Sequence, residues 1–138
     1  MSYNKPLPTI NELNQEFWDN CKAGKLSVQH CKACGDKRYP ASPVCPKCLS
    51  ADQDWVVVSG KATLESWVDF HRAYWEGFQG DLPYRVCLVR LAEGPVMVSN
   101  LVGPSDNAAV GAAVEVVFDA VTPDVTLPKF KLAKFQLA

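Results

Sequence analysis

Four cysteines crowd an 18-residue window as two Cys-x-x-Cys pairs, Cys31/Cys34 and Cys45/Cys48, with ten residues between them. No other feature constrains the fold of this chain so tightly. A Cys-x-x-Cys turn lets two thiolates converge on one ion while nearby backbone N–H groups stabilise their charge, and Gly35 can take the left-handed conformation that closes such a turn. Two turns complete a tetrahedral Cys₄ site, which suits structural Zn²⁺ because four protein ligands leave no open position for chemistry. Iron in the same thiolate geometry is the alternative. A redox pair would need one Cys-x-x-Cys in a βαβ setting, and this region instead carries Pro40, Pro43 and Pro46. His30 could replace a ligand, but four cysteines already suffice, so it reads as a surface residue. Cys21 and Cys87 stand apart and read as small buried apolar groups.

Around these pairs the hydrophobic period changes. Thr9-Ile10-Asn11-Glu12 reads as a capping box, and Ile10, Leu13, Phe17 and Cys21 follow at helical spacing. A helix is therefore expected over 10–23, ended by Gly24. After residue 55 the period is two. Strands are expected over 62–70, 84–91, 96–102, 114–119 and from about Val125, with a short helical turn at 105–110. Five strands with a small helix between the third and fourth is the order of an OB-fold barrel, and a β-sandwich is the alternative. The chain thus reads as mainly β: an N-terminal helix (1–24), a rubredoxin-like zinc ribbon (25–54) and a five-stranded OB-fold barrel (55–138).

Composition excludes several classes. At 48% apolar and 21% charged, the chain is neither disordered nor collagen-like. No apolar run approaches the 18 residues a spanning helix requires, and Met1 to Pro8 lack the apolar core of a signal peptide, so the expectation is a cytoplasmic protein off the membrane. The net charge of −1 conceals an asymmetry: residues 25–50 carry five basic groups against Asp36, whereas 51–124 carry four against eleven acids. An OB groove for nucleic acid needs a positive track with stacking aromatics, and this barrel is acidic. The basic groups on the ribbon and last strand suit phosphates or an acidic partner better than a long polyanion.

At the level of ordered motifs the chain resembles a family of zinc-ribbon/OB-fold proteins associated with acyl-CoA enzymes. The matching pieces are Gln29-His30-Cys31-x-x-Cys34-Gly35, Tyr39-Pro40, Cys45-Pro46-x-Cys48, Trp55, Ser59-Gly60, Pro83-Tyr84 and Leu91-x-Glu93-Gly94. They continue through Ser99-Asn100-Leu101-Val102-Gly103, Gly111-x-x-Val114-Glu115-Val116-x-Phe118 and Leu127-Pro128-x-Phe130. The resemblance implies a non-catalytic accessory subunit of a thiolase-fold enzyme, either a thiolase, a synthase or a thiolase-like aldolase, in a hetero-oligomer. The OB barrel of such a subunit helps form the acyl-CoA site or channel; some relatives accompany enoyl-CoA hydratases instead.

The residues agree with a role outside the chemistry. There is no Ser-His-Asp order, phosphate loop or Gly-x-Gly-x-x-Gly. Glu65 and Asp69 could share a strand face, but a carboxylate pair alone is weak grounds for an enzyme. The segment from Phe70 to Tyr84 carries five aromatics and two glycines between two strands, a composition that marks interface anchors more often than loops. Arg72, Tyr74, Trp75, Phe78 and Tyr84 are therefore the expected partner or acyl-CoA contacts, with Trp75 and Phe78 as anchors. Capping of the barrel end by these rings is the alternative. Lys129 and Lys131 are weaker candidates for CoA phosphates.

Overall fold

The computed structural model describes residues 5, 7–39, 41–72, 77, 80, 82–103 and 108–133. Its helix, α1 (Gln15–Lys22), starts five residues later than the periodicity predicts. The asparagines explain the delay. Asn11 N–H donates to Asn14 Oδ1 at 2.8 Å, Asn14 N–H donates to Asn11 Oδ1 at 3.1 Å, and Asn14 Nδ2 donates to the Thr9 carbonyl at 3.0 Å. These side chains satisfy the backbone in a turn and so remove the incentive to begin a helix at Thr9. The C-terminus behaves as predicted: Gly24 has φ +76°, Lys25 N–H reaches Asn20 O at 2.8 Å and Gly24 N–H reaches Cys21 O at 3.0 Å, a Schellman motif. Phe17 and Cys21 form the buried stripe.

Two sheets follow. The first has the order β2-β1-β3, with β1 (Leu26–Cys31) between the short edge strand β2 (Lys37–Arg38) and β3 (Gln53–Val58), all antiparallel. Trp55-Val56-Val57-Val58 lies in β3 and pairs with β1 across the expected ribbon–barrel junction, Leu26 opposite Val58 and Gln29 opposite Trp55. The second sheet contains β4 (Lys61–Phe70), β5 (Tyr84–Leu91), β6 (Val96–Asn100), β7 (Ala113–Ala120) and β8 (Thr126–Leu132) in the order β6-β5-β4-β7-β8.

The ends of this sheet meet. Leu101, just past β6, forms a parallel bridge with Phe130 of β8, and Val102 N–H donates to Phe130 O at 2.8 Å. A parallel contact between the third and fifth strands nearly closes the barrel, which sets aside the sandwich alternative. An irregularity between Leu64 and Ser66 lets the long β4 bend as closure requires. Inside lie Leu64, Val89, Leu91, Met97, Val114 and Phe130, in one cluster with Phe17, Cys21, Leu26 and Val28 of the helix and ribbon. No described helix is long and apolar enough to cross a membrane. Of the predicted helical turn at 105–110, residues 105–107 lie outside the described residues and 108–110 are not helical.

Candidate metal centre and interface residues

The two cysteine turns are near copies of each other. Cys31 ends β1; its carbonyl accepts from Gly35 N–H at 2.8 Å, and its own N–H donates to Asp36 O at 2.8 Å. In the second turn Cys45 O accepts from Leu49 N–H at 2.8 Å and Cys45 N–H donates to Ser50 O at 2.8 Å. The residue after each second cysteine adopts positive φ: +81° at Gly35 and +65° at Leu49. Leu49 accepts a strained backbone because the turn demands it.

The four sulfurs lie within 4.8 Å of one another. Cys31 and Cys48 Sγ are 3.5 Å apart, Cys34 and Cys45 Sγ 3.6 Å. A tetrahedron with Zn–S bonds of 2.3 Å has edges of about 3.8 Å, so the cage fits zinc. Backbone N–H groups favour thiolate. The Cys34 N–H pulls the Cys31 thiol below its ordinary value. At Cys45 burial opposes ionisation, yet the Cys48 and Lys47 N–H groups prevail and bring it down to about 6. At Cys34 the Asp36 N–H acts the same way, but burial and the adjoining sulfurs outweigh it and push the thiol up to about 12. Four thiolates this close repel one another, and a divalent cation is the group that lets all four ionise. Cys31 and Cys45 are fully buried while Cys34 and Cys48 face outward. Zinc here anchors a ribbon with little apolar core of its own.

The other candidates are distributed differently. His30 turns away from the sulfurs, with Nδ1 2.8 Å from Asp54 Oδ1. Cys87 is 1% exposed, and burial pushes its thiol up to about 11, the opposite of an activated nucleophile. Glu65 is held by Arg90 at 2.8 Å. Asp69 receives both Nε and Nη2 of Arg85, at 2.7 and 3.1 Å, which keeps its carboxyl below the usual range. Of the aromatic segment, Tyr74, Trp75 and Phe78 lie outside the described residues. Arg72 lines a 310 Å³ hollow with Asp69, Phe70 and His71, and the Tyr84 ring sits 5.1 Å from Phe70. Lys129 and Lys131 are both engaged across the β7–β8 ladder, with Asp119 at 2.7 Å and Glu115 at 3.6 Å. A phosphate at either lysine would have to displace its carboxylate. Beside Lys129 opens a 170 Å³ groove lined by Trp18, Tyr39, Met97, Leu127 and Pro128.

Sequence reasoning missed one contact that ties the junction to the barrel and one buried polar pair inside the ribbon. Glu93 Oε2 in the β5–β6 turn accepts from Ser59 N–H at 3.0 Å, beside Gly60 at φ +81°. Arg38 is 9% exposed and Gln29 3%, a buried polar pair on facing strands. Basic residues in cysteine ribbons are usually solvated, so no pattern marked Arg38 as buried.

A zinc ribbon joined to a nearly closed OB barrel through a short, hydrogen-bonded junction defines the class of protein. Models of two family domains match in the same order: "ChsH2, rubredoxin-like zinc ribbon domain" over 18–53 and "ChsH2, C-terminal OB-fold domain" over 55–119. A chain of the solved Ltp2-ChsH2(DUF35) aldolase superposes with TM-score 0.81 at 35% identity, covering 91% of this chain and 98% of that one. The chain belongs to the ChsH2 (DUF35) family, in agreement with the resemblance carried by its motifs. A probable enoyl-CoA hydratase alpha subunit of Thermomonospora curvata is 36% identical over 130 residues, 94% of this chain. This chain spans 40% of that relative's length. A DUF35 domain-containing scaffold protein of Methanocaldococcus jannaschii is 28% identical over 96 residues, 68% of this chain and 67% of that protein.

Proposed function

We propose that this chain is a non-catalytic accessory subunit of a thiolase-superfamily enzyme acting on acyl-CoA, and that its barrel helps form the acyl-CoA site or channel. The observation that carries this reading is the near end-to-end match to a chain of an aldolase assembly. The side chains support it, because the candidates for independent catalysis are otherwise engaged: Cys87 is buried and protonated, and Glu65 is paired to Arg90. In this reading zinc held by Cys31, Cys34, Cys45 and Cys48 is structural. The helix, ribbon and barrel act together in a cytoplasmic hetero-oligomer of lipid metabolism. Arg72, Tyr74, Trp75, Phe78 and Tyr84 face the partner, while Lys129 and Lys131 stand near the CoA phosphates.

The test is co-expression with a candidate thiolase-fold enzyme. The pair should co-elute, the partner should lose activity or solubility when expressed alone, and this chain should show no turnover on acyl-CoA thioesters. Turnover by the isolated chain that Cys87→Ala or Glu65→Gln abolishes would overturn the proposal. A second reading, the same module serving an enoyl-CoA hydratase, is favoured by the 36% identity to a hydratase alpha subunit. Co-elution with a hotdog-fold hydratase in place of a thiolase-fold enzyme would select it.

A further inference from the structure

The two cysteine turns share a backbone and differ in what they show to solvent. Each needs a residue at positive φ after its second cysteine, Gly35 at +81° in the first and Leu49 at +65° in the second. Glycine reaches that region freely, whereas a leucine is strained there. Leu49 is also 74% exposed, the most exposed large hydrophobic among the described residues. The position therefore carries two costs in the folded chain, and the chain's own packing offsets neither. Backbone strain held in place by its surroundings is a mark of functional positions.

The residues around Leu49 follow the same contrast. The first turn exposes Lys32, Ala33 and Gly35; the second exposes Pro43, Val44, Pro46, Lys47 and Leu49. Val44, 40% exposed, stands where the first turn has His30. This apolar knuckle is held firmly. Leu49 N–H donates to Cys45 O at 2.8 Å, Cys45 N–H donates to Ser50 O at 2.8 Å, and Ser42 Oγ donates to Val44 O at 2.6 Å. A side chain presented on so fixed a backbone has little freedom left to lose on binding.

The charge around the knuckle describes what can sit against it. Residues 25–50 carry five basic groups against Asp36. A zinc–tetrathiolate centre adds two negative charges and still leaves the balance positive. Lys37 and Lys47 line a 600 Å³ hollow between the two cysteine turns and Gly94–Pro95 of the β5–β6 turn. Lys47 is 3.2 Å from Asp36, and Lys37 has no ion pair among the described residues. The complementary surface is an apolar pocket rimmed by acids. A second copy docking knuckle to knuckle would set lysine against lysine. One leucine and one valine bury too little apolar area to hold the chain on a membrane.

We propose that the second cysteine turn is a docking knob, in which Leu49, flanked by Val44, enters an apolar pocket rimmed by Asp or Glu on the partner enzyme subunit. The proposal rests on the reading of this chain as an accessory subunit and holds for either class of partner enzyme. It adds a contact on the ribbon to the one assigned to the aromatic segment of the barrel. The strain at Leu49 is then retained because the side chain it carries is used in the assembly, where glycine would leave the pocket empty.

The test uses the zinc-loaded full chain and the enzyme that co-elutes with it in the co-expression experiment above. Complexes carrying the natural or a variant chain are diluted, and their dissociation is followed by sedimentation velocity. Leu49→Gly and Leu49→Asn, both suited to positive φ, should raise Kd about tenfold or more, and Leu49→Met should stay within about threefold. One zinc should remain in each, and isolated Leu49→Gly should melt no lower than the natural chain. Raising salt from about 0.05 to about 0.5 M should weaken the natural complex, and less steeply that of the double variant Lys37→Gln/Lys47→Gln. Unchanged Kd for Leu49→Gly and Leu49→Asn overturns the proposal while co-elution leaves the subunit reading standing. Dissociation indifferent to salt removes the acidic rim. A lower Tm for Leu49→Gly makes Leu49 a structural residue of the ribbon. Self-association of the isolated chain that Leu49→Gly abolishes assigns the knob to a second copy, and Leu49-dependent sedimentation with phosphatidylglycerol vesicles assigns it to a membrane. If neither class of enzyme co-elutes with the natural chain, the subunit reading fails and the knob falls with it.

Discussion

Gly60 joins ribbon to barrel, and replacing it with alanine should be among the most damaging small changes in the chain. Two independent effects act there. The backbone sits at φ +81°, which costs an L-residue about 1–2 kcal/mol. The added Cβ would also run into Val116 Cγ1 on β7, an overlap that forces β7 or its side chain to shift. Overpacking of this kind typically costs about 1–3 kcal/mol. The shift is resisted because Val116 N–H is bonded to Gly60 O at 2.9 Å, which ties the clashing strand to the very residue changed. Alanine restricts the unfolded chain and returns about 0.4–1 kcal/mol. Gly60→Ala should therefore lose about 2–4 kcal/mol, a fall in Tm of roughly 6–15 °C at this chain length. The assay is urea and thermal unfolding with zinc content measured in parallel; one zinc per chain should remain, since none of the four cysteines is altered. Adding Val116→Ala separates the causes. It should recover about 1–2 kcal/mol in a double-mutant cycle, leaving the φ penalty. A Gly60→Ala protein within 2 °C of the natural chain, or a cycle with no coupling, would refute this reasoning.

Leu49 is the converse case: at φ +65° and 74% exposed, Leu49→Gly should raise Tm by about 1–4 °C with zinc stoichiometry unchanged, and a lower Tm would count against strain in the second cysteine turn. Purified protein should hold one zinc, and Cys45→Ser should release it and loosen the ribbon while the barrel strands keep their amide-exchange protection; elemental analysis and hydrogen exchange check both. Burial pushes Cys21 up to about 12 and Cys87 up to about 11, so the folded chain keeps protons that the unfolded chain releases above its ordinary thiol value of 9.0. Stability should accordingly fall as pH rises from 9 towards 11, and Cys87→Ala should flatten that slope in a pH series of urea melts. Trp75→Ala should weaken binding to the partner enzyme about thirtyfold or more with Tm unchanged; unfolding of the isolated chain instead would make the aromatic segment a barrel cap.

Local patterns in the chain carried most of the architecture. The paired cysteines, Gly35 and the run of prolines define the ribbon through spacings of a few residues. The five barrel strands show in alternation over stretches such as 62–70 and 84–91. The helix stripe was legible at Phe17 and Cys21, and its end at Gly24. Its start was not, because a capping box at Thr9 and an asparagine turn through Asn11 and Asn14 compete for the same backbone groups. Three hydrogen bonds from the asparagine side chains decide that competition.

What the sequence by itself determined, then, is whatever depends on residues near one another in the chain: the metal cage, the strand pattern, the class of fold. The tertiary structure decided which side chains meet across strands. Lys129 and Lys131 read as free cations until the β7–β8 register sets Asp119 and Glu115 beside them. Gly60 reads as an ordinary turn residue until closure of the sheet brings Val116 against it. Arg38 reads as one more surface charge until the β1–β2 pairing sets it beside Gln29, 9% exposed. Register and closure are set by the whole barrel and ribbon packing at once, and a single stretch of chain holds no record of which distant residue will stand opposite.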